Sequence, residues 1–354
     1  MKSRRGDEGW MTQSDVAFGL SSIDEEDDMW ARTAGMPASM FGIVLGLVGF
    51  GNDWRAAKRM WGLPAWPGET IMLLAVGVWL ALILSYGLKW TTQRDAAVAE
   101  SRHPIQCCYI ALVPVSTMLI GLAVLPYSLA TARVLICVGA AAMVTFGVWR
   151  HAGLWRGGRS MGETTPVLYL PTVAGNFVAA TTLGALSWSP VGQVFFGAGA
   201  LAWLAVESVI LQRLLVADEM PASLRPTLGI QLAPPAVGLL AYTSVTSGPP
   251  TLLASMLLGY ALLQGLFMLR LLPWIGAQPF GAGYWGFSFG LTAMTLAVER
   301  LSERGMSEPF LTLAPVLFTI ANLVLLLFIL GTVWLLVTGR LFPASPARVT
   351  APST

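Results

Sequence analysis

The sequence predicts an all-α membrane protein: ten transmembrane helices arranged as five quasi-repeated helical hairpins around a central pore. Three observations predict this fold. Only 11% of the 354 residues are charged and 55% are hydrophobic, whereas a soluble domain carries roughly 25% charged residues. So few charges cannot cover a water-facing surface. The apolar residues gather in runs of the roughly 20 residues that a helix needs to cross a bilayer. The charges fall between those runs.

Several function classes drop out at this level. A net charge of +2 with no basic stripe interleaved with exposed aromatics argues against a nucleic-acid partner. The three cysteines, Cys107, Cys108 and Cys137, fall inside predicted spans, and the two histidines, His103 and His151, stand far apart. Neither a disulfide framework nor a metal site follows from that spacing. No paired Asp, Ser/Lys or His-rich constellation at membrane depth points to an enzyme, so neither catalytic residues nor a cofactor are expected.

Residues 1–33 form a polar tail that ends in the acidic run Asp24, Glu25, Glu26, Asp27 and Asp28. It lacks the basic start and apolar stretch of a signal peptide, and its composition suits a solvated segment. A transmembrane domain is predicted over 34–340, followed by a second tail over 341–354. Hydropathy and loop signals place the helices near 35–52, 69–90, 106–125, 127–149, 167–187, 189–214, 227–246, 249–272, 282–299 and 309–338. The first opens at Met36-Pro37, where proline suits an initial turn.

The gaps after helices 3, 5 and 7 are tight, and those after helices 2, 4 and 6 are longer and basic, which predicts helical hairpins. Fifteen of the 21 Lys and Arg fall on the side shared by both termini. The positive-inside rule then makes both termini cytoplasmic. Every hairpin starts on the same side, so the repeats are parallel and related by an axis along the membrane normal. Five inner helices around that axis enclose a passage.

Helices 2 and 10 are almost uniformly apolar and read as lipid-facing. Odd-numbered spans instead mix small and hydroxyl residues with helix breakers: Pro114 with Ser116 and Thr117, Pro171 with Thr172 and Asn176, Pro234 after Gln231. A proline inside a helix frees a carbonyl, and hydrocarbon tolerates that only where protein or water satisfies it. Small residues and prolines also permit close helix packing. Their recurrence on alternate spans favours a wet interior.

Ionisable groups are scarce at membrane depth. Glu207 lies on helix 6 and is expected to bond to a neighbouring helix, while Arg133, Arg270 and Glu299 sit near span ends where they can snorkel. No titratable residue stands out on an odd helix. The passage is therefore expected to be lined by hydroxyls, amides, backbone and rings, with kinked helix ends each contributing about 0.3–1 kcal/mol toward a passing ion. The run Tyr284-Trp285-Gly286-Phe287-Ser288-Phe289-Gly290 on helix 9 brings several rings to an inner helix, and a ring facing the axis can close a narrow pore.

Several segments in order resemble the tellurite-resistance/dicarboxylate transporter family, which takes in the slow-type anion channels of plant guard cells, and its bacterial members most nearly. They are MPASMFGI at 36–43, ALVPVSTML at 111–119, LYLP at 168–171, FFGAG at 195–199, GIQLAP at 229–234 and LRLLPW at 269–274. The resemblance implies a bacterial inner-membrane protein, a pore lined by the odd helices and a homotrimer with one pore per subunit. It implies small inorganic anions such as chloride or nitrate as the permeating species. Through Phe287-Ser288-Phe289-Gly290 it places the occluding aromatic on Phe289. Plant members have proline where this chain has Gly290, which implies a softer kink here. Pro37, Pro114, Pro171, Pro234 and Gly290 are the expected kinks of the lining helices, and Ser116, Thr117, Thr172, Asn176, Gln231 and Ser288 the expected polar lining. The alternative is a secondary transporter of a dicarboxylate, sulfite or tellurite-like oxyanion.

Overall fold

The computed structural model describes residues 35–308 and 310–341. The acidic run at 24–28 and the tail at 342–354 lie outside the described residues. Regular structure among the described residues is helical, without a strand. Ten α-helices run for eleven residues or more: α1 Phe41–Trp61, α2 Trp66–Thr92, α3 Leu112–Val124, α4 Leu129–Leu154, α5 Gly175–Ala185, α6 Ser189–Val216, α7 Ala233–Val245, α8 Leu252–Ile275, α9 Gly286–Glu303 and α10 Phe310–Val337. Eight stretches are long and apolar enough to cross a membrane: α2, α4, α6, α8, α10, and the segments Gln106–Val124, Pro166–Ala185 and Ala222–Val245 that contain α3, α5 and α7. Helices α1 and α9 fall outside that set because their C-terminal parts are charged, with Asp53, Arg55, Lys58 and Arg59 on one and Glu299, Arg300 and Glu303 on the other.

Odd and even helices occupy different layers. Between 22% and 33% of the most apolar part of each even helix is buried within the protein, against 67–89% for the segments holding α3, α5 and α7. Helices α1 and α9 are also buried along most of their length. The odd helices touch in a closed cycle, α1 to α3 to α5 to α7 to α9 and back to α1, and each even helix packs on the odd helix before it. An inner ring of short or polar helices thus sits inside long apolar ones. This arrangement follows from their composition, because a helix apolar on every side can face lipid whereas one carrying hydroxyls and charge needs protein around it.

The inner helices open irregularly. A 3₁₀ turn precedes α1 (Ala38–Met40), α7 (Ala222–Leu232) and α9 (Ala282–Trp285), a 3₁₀ and then a π turn (Pro166–Tyr169, Leu170–Ala174) precede α5, and a four-residue helix (Gln106–Tyr109) precedes α3. Pro37 caps the turn before α1 and Pro171 lies within the π turn, while Pro114 and Pro234 sit in the first turns of α3 and α7. The prolines therefore mark where irregular turns become α-helix, as expected of residues that lack an N–H and clash with the preceding turn. Gly290 introduces no break, since α9 runs through it; a Cβ there would stand 2.9 Å from the Ala233 nitrogen, so its smallness seats α9 against α7.

At the end of the molecule where α1 begins, a short helix Arg94–Arg102 follows α2. Its fully buried Glu100 accepts from the Ala38 amide at 2.8 Å and from the Lys89 ammonium at 2.8 Å, and Lys89 also donates to the Met36 carbonyl at 3.3 Å. On the outside an apolar groove of about 820 Å³ opens between α8 and α10, where Phe287, Leu291 and Met294 of α9 line its floor.

Candidate functional site

A cavity of about 220 Å³ lies at the centre of the inner ring and draws its wall from all five odd helices. Phe289, near the start of α9, forms part of the wall and is only 8% exposed. Along α9 the lining residues are Phe289, Thr292, Ala293, Leu296 and Arg300, at the three- and four-residue spacing of one helical face. Gly49, Asn52, Arg55 and Arg59 do the same on α1. Leu119 and Leu122 of α3, Val178 and Thr181 of α5, and Val237 and Leu240 of α7 complete the wall. The close approach of α1 to α9 depends on Gly49, because a Cβ there would fall 2.1 Å from the Thr292 hydroxyl.

The mouth is basic. Three arginines line it, Arg55, Arg59 and Arg300, and other residues hold each in place. Arg55 makes a two-pronged bond to Glu69 at 2.9 and 2.8 Å and donates to the Ala123 carbonyl at 3.1 Å. In the turn between α3 and α4, Tyr127 donates to the same Glu69 at 2.5 Å, and that bond holds its hydroxyl above the ordinary phenol range. Arg59 pairs with Glu303 at 3.1 Å, and Arg300 donates to the Ser244 hydroxyl at 2.5 Å. Fixed cations facing a wall of hydroxyls and aliphatic carbon attract an anion without enclosing it in a tight site.

Of the aromatic run on α9, Phe289 is the ring that reaches this cavity. Trp285 donates to Thr332 of α10 at 2.9 Å, Tyr284 to the Ile275 carbonyl at 3.0 Å, and Phe287 lines the outer groove. The expected polar lining is dispersed. Ser116 and Thr117 donate to the Val113 carbonyl, each at 2.9 Å, and Ser288 to the Trp285 carbonyl at 2.6 Å, so these hydroxyls satisfy their own helices. Thr172 and Asn176 line a separate groove against α4, where the Thr172 hydroxyl lies 3.4 Å from the His151 ring. Gln231 is buried against Glu207 at 3.0 Å.

Glu207 itself sits at the centre of five donors: Tyr169 at 2.5 Å, Tyr260 at 2.6 Å, Trp203 at 2.8 Å, Gln231 at 3.0 Å and Gln264 at 3.4 Å. The hydrogen bonds to neighbouring helices expected of it are present.

The sequence reading missed Arg55, Arg59 and Arg300 because it ended the first helix at 52 and the ninth at 299; Asn52 and Thr292 lie within those spans, where no motif singles them out. Two expectations need correction. Glu299 does not snorkel, since it is fully buried, and so is Asp53 on α1. Odd helices therefore do carry titratable groups, and the four carboxyl oxygens of this pair have no hydrogen-bond partner among the described residues. The available signal was the continued helical spacing, 49, 52, 55 and 59 on one helix and 289, 292, 296 and 300 on the other, which runs through the charges without interruption.

Comparison with known proteins places this architecture. Residues 35–333 match the voltage-dependent anion channel family, SLAC1. The chain is 34% identical over 308 residues to the tellurite resistance protein TehA homolog of Haemophilus influenzae, covering 87% of this chain and 93% of that one. It is 22% identical to the guard cell S-type anion channel SLAC1 of Arabidopsis thaliana over 90% of this chain and 59% of the plant protein, and 25% identical to the S-type anion channel SLAH3 of the same plant over 87% of this chain and 49% of that one. With a family match over most of its length and a bacterial relative aligned almost end to end, the chain belongs to the voltage-dependent anion channel family of SLAC1 and TehA-type membrane proteins.

Proposed function

We propose that this protein is an anion channel, and not an enzyme, that conducts small monovalent anions such as chloride and nitrate through the centre of its inner ring. Phe289 is the gate. Ten helices span the membrane as five hairpins, α1 and α9 included, because their charged ends face the cavity and the mouth and not lipid. Both termini lie on the cytoplasmic side of a bacterial inner membrane, and the working assembly is a homotrimer with one pore per subunit. The observation that supports the reading is the place of Phe289 in the wall of a cavity that all five odd helices line and three arginines border. The plant relatives named as anion channels support the choice of ion class. Weak, distributed attraction suits throughput, and turning one ring roughly 30° off its rotamer costs only about 0.5–1.5 kcal/mol.

Replacing Phe289 with Ala is expected to raise anion conductance at least several-fold in oocytes or planar bilayers. Currents equal to wild type would remove Phe289 from the gate.

A second reading, a carrier of dicarboxylate, sulfite or tellurite-like oxyanions, draws support from the name of the Haemophilus relative and from the buried carboxyls Asp53 and Glu299, which give proton coupling a candidate. Reversal potentials separate the two. A channel follows the anion gradient alone, whereas a coupled carrier shifts with an imposed proton gradient.

A further inference from the structure

The seam between α1 and α9 contains a feature that anion conduction does not by itself require. Asp53 and Glu299 are both fully buried there, on two helices that pack directly on each other beside the Gly49–Thr292 contact. None of their four oxygens has a hydrogen-bond partner among the described residues. An ionised carboxylate buried without a partner is strongly disfavoured, and two side by side are worse.

The surrounding charges relieve this only in part, since Arg59 and Arg300 act on Glu299 from a distance and Glu303 opposes them. On α1, Arg55 is taken by Glu69 of α2, Arg59 by Glu303, and Lys58 is exposed. On α9, Arg300 donates to Ser244; just beyond that helix, Arg304 donates to the Thr243 and Thr246 carbonyls. Tyr242 of α7 bonds to Thr251, and the described parts of α3 and α10 carry no ionisable side chain. At the far end, Tyr86 and Lys89 of α2 belong to Glu100 and Arg225 to Glu219. No cation stands within ion-pair distance of either buried acid among the described residues.

One proton held by the pair removes one of the two buried charges. We propose that Asp53 and Glu299 share a proton inside the α1–α9 seam and that its presence sets the throughput of the anion path beside it. This rests on the cavity being that path. Asn52 and Arg300, the chain neighbours of the two acids, line the cavity, so the charge of the pair acts on its wall. With the proton bound the pair carries one negative charge. Without it the pair carries two, the added charge opposes the arginines, and the anion is repelled. Acid therefore favours flux and alkali suppresses it.

The test is chloride flux from proteoliposomes across a pH series, for wild type and for the isosteric double variant Asp53→Asn/Glu299→Gln. Wild-type flux is expected to fall on the order of tenfold from acid to alkaline pH, as one charge about 10 Å from the path at an effective dielectric of about 20 produces. The double variant is expected to stay fast and flat. An unchanged pH profile in a well-folded double variant overturns the proposal. Infrared difference spectra supply a readout independent of flux: wild type at neutral pH is expected to show a protonated-carboxyl band that the double variant loses, and its absence from wild type likewise overturns the shared proton. If neither wild type nor Phe289→Ala passes any anion at any pH, the anion path and the throughput role fail together, and the infrared band alone then decides whether the proton is there.

Discussion

The protein buries acid in two places and handles it in opposite ways. Glu207, on outer helix α6, receives five hydrogen bonds from residues on α6, α8 and the irregular segments before α5 and α7. Asp53 and Glu299, on inner helices α1 and α9, receive none from the described residues. The first arrangement fixes neighbouring helices together. The second leaves four buried carboxyl oxygens without a donor among the described residues. A buried acid therefore points to a switch only after its donors have been examined; mere depth in the membrane does not distinguish the two.

Removing the acceptor at the saturated site gives the largest expected effect. Glu207→Ala leaves Tyr169, Trp203 and Gln231 as buried donors at about 1 kcal/mol or more apiece, so a loss of at least ~3 kcal/mol in detergent unfolding is expected. A variant as stable as wild type would erase the contrast. Next comes Gly49→Ala, which drives a methyl into the Thr292 hydroxyl one turn from Asp53 and is expected to cost about 1–3 kcal/mol by overpacking. Because it parts the α1–α9 seam, it should also flatten the pH profile of flux. Smaller still is Tyr260→Phe, which withdraws one of five donors from Glu207 and is expected to cost about 0.5–1.5 kcal/mol with no change in pH dependence.

Much of the fold was legible in the sequence because hydropathy is additive along a helix. Even helices such as α2 and α10 declared themselves by uniform apolarity, and the breakers Pro114, Pro171 and Pro234 identified buried elements. Side-chain direction was less legible. Thr172 and Gln231 have the composition of a polar lining, yet one faces α4 and the other Glu207, because orientation depends on which neighbour arrives across the ring. The charged ends of α1 and α9 were lost for a different reason: a hydropathy boundary stops at the first cluster of charge, whereas a helix inside a ring of helices can carry Arg55 and Arg300 inward. Phe289 emerged from a motif, but nothing local separates it from Phe287 two residues earlier.

The grip of Glu100 and Lys89 on the main chain at Ala38 and Met36 has a mechanical consequence. Tension arriving ahead of Met36 is expected to load this buried ion pair, anchored to α2 and its following helix, before the rungs of α1. The depth of α1, and with it the position of Asp53, is insulated from whatever is attached upstream. Fluorescent reporters or affinity handles joined ahead of residue 35 are thus expected to leave the cavity end of α1 undisturbed.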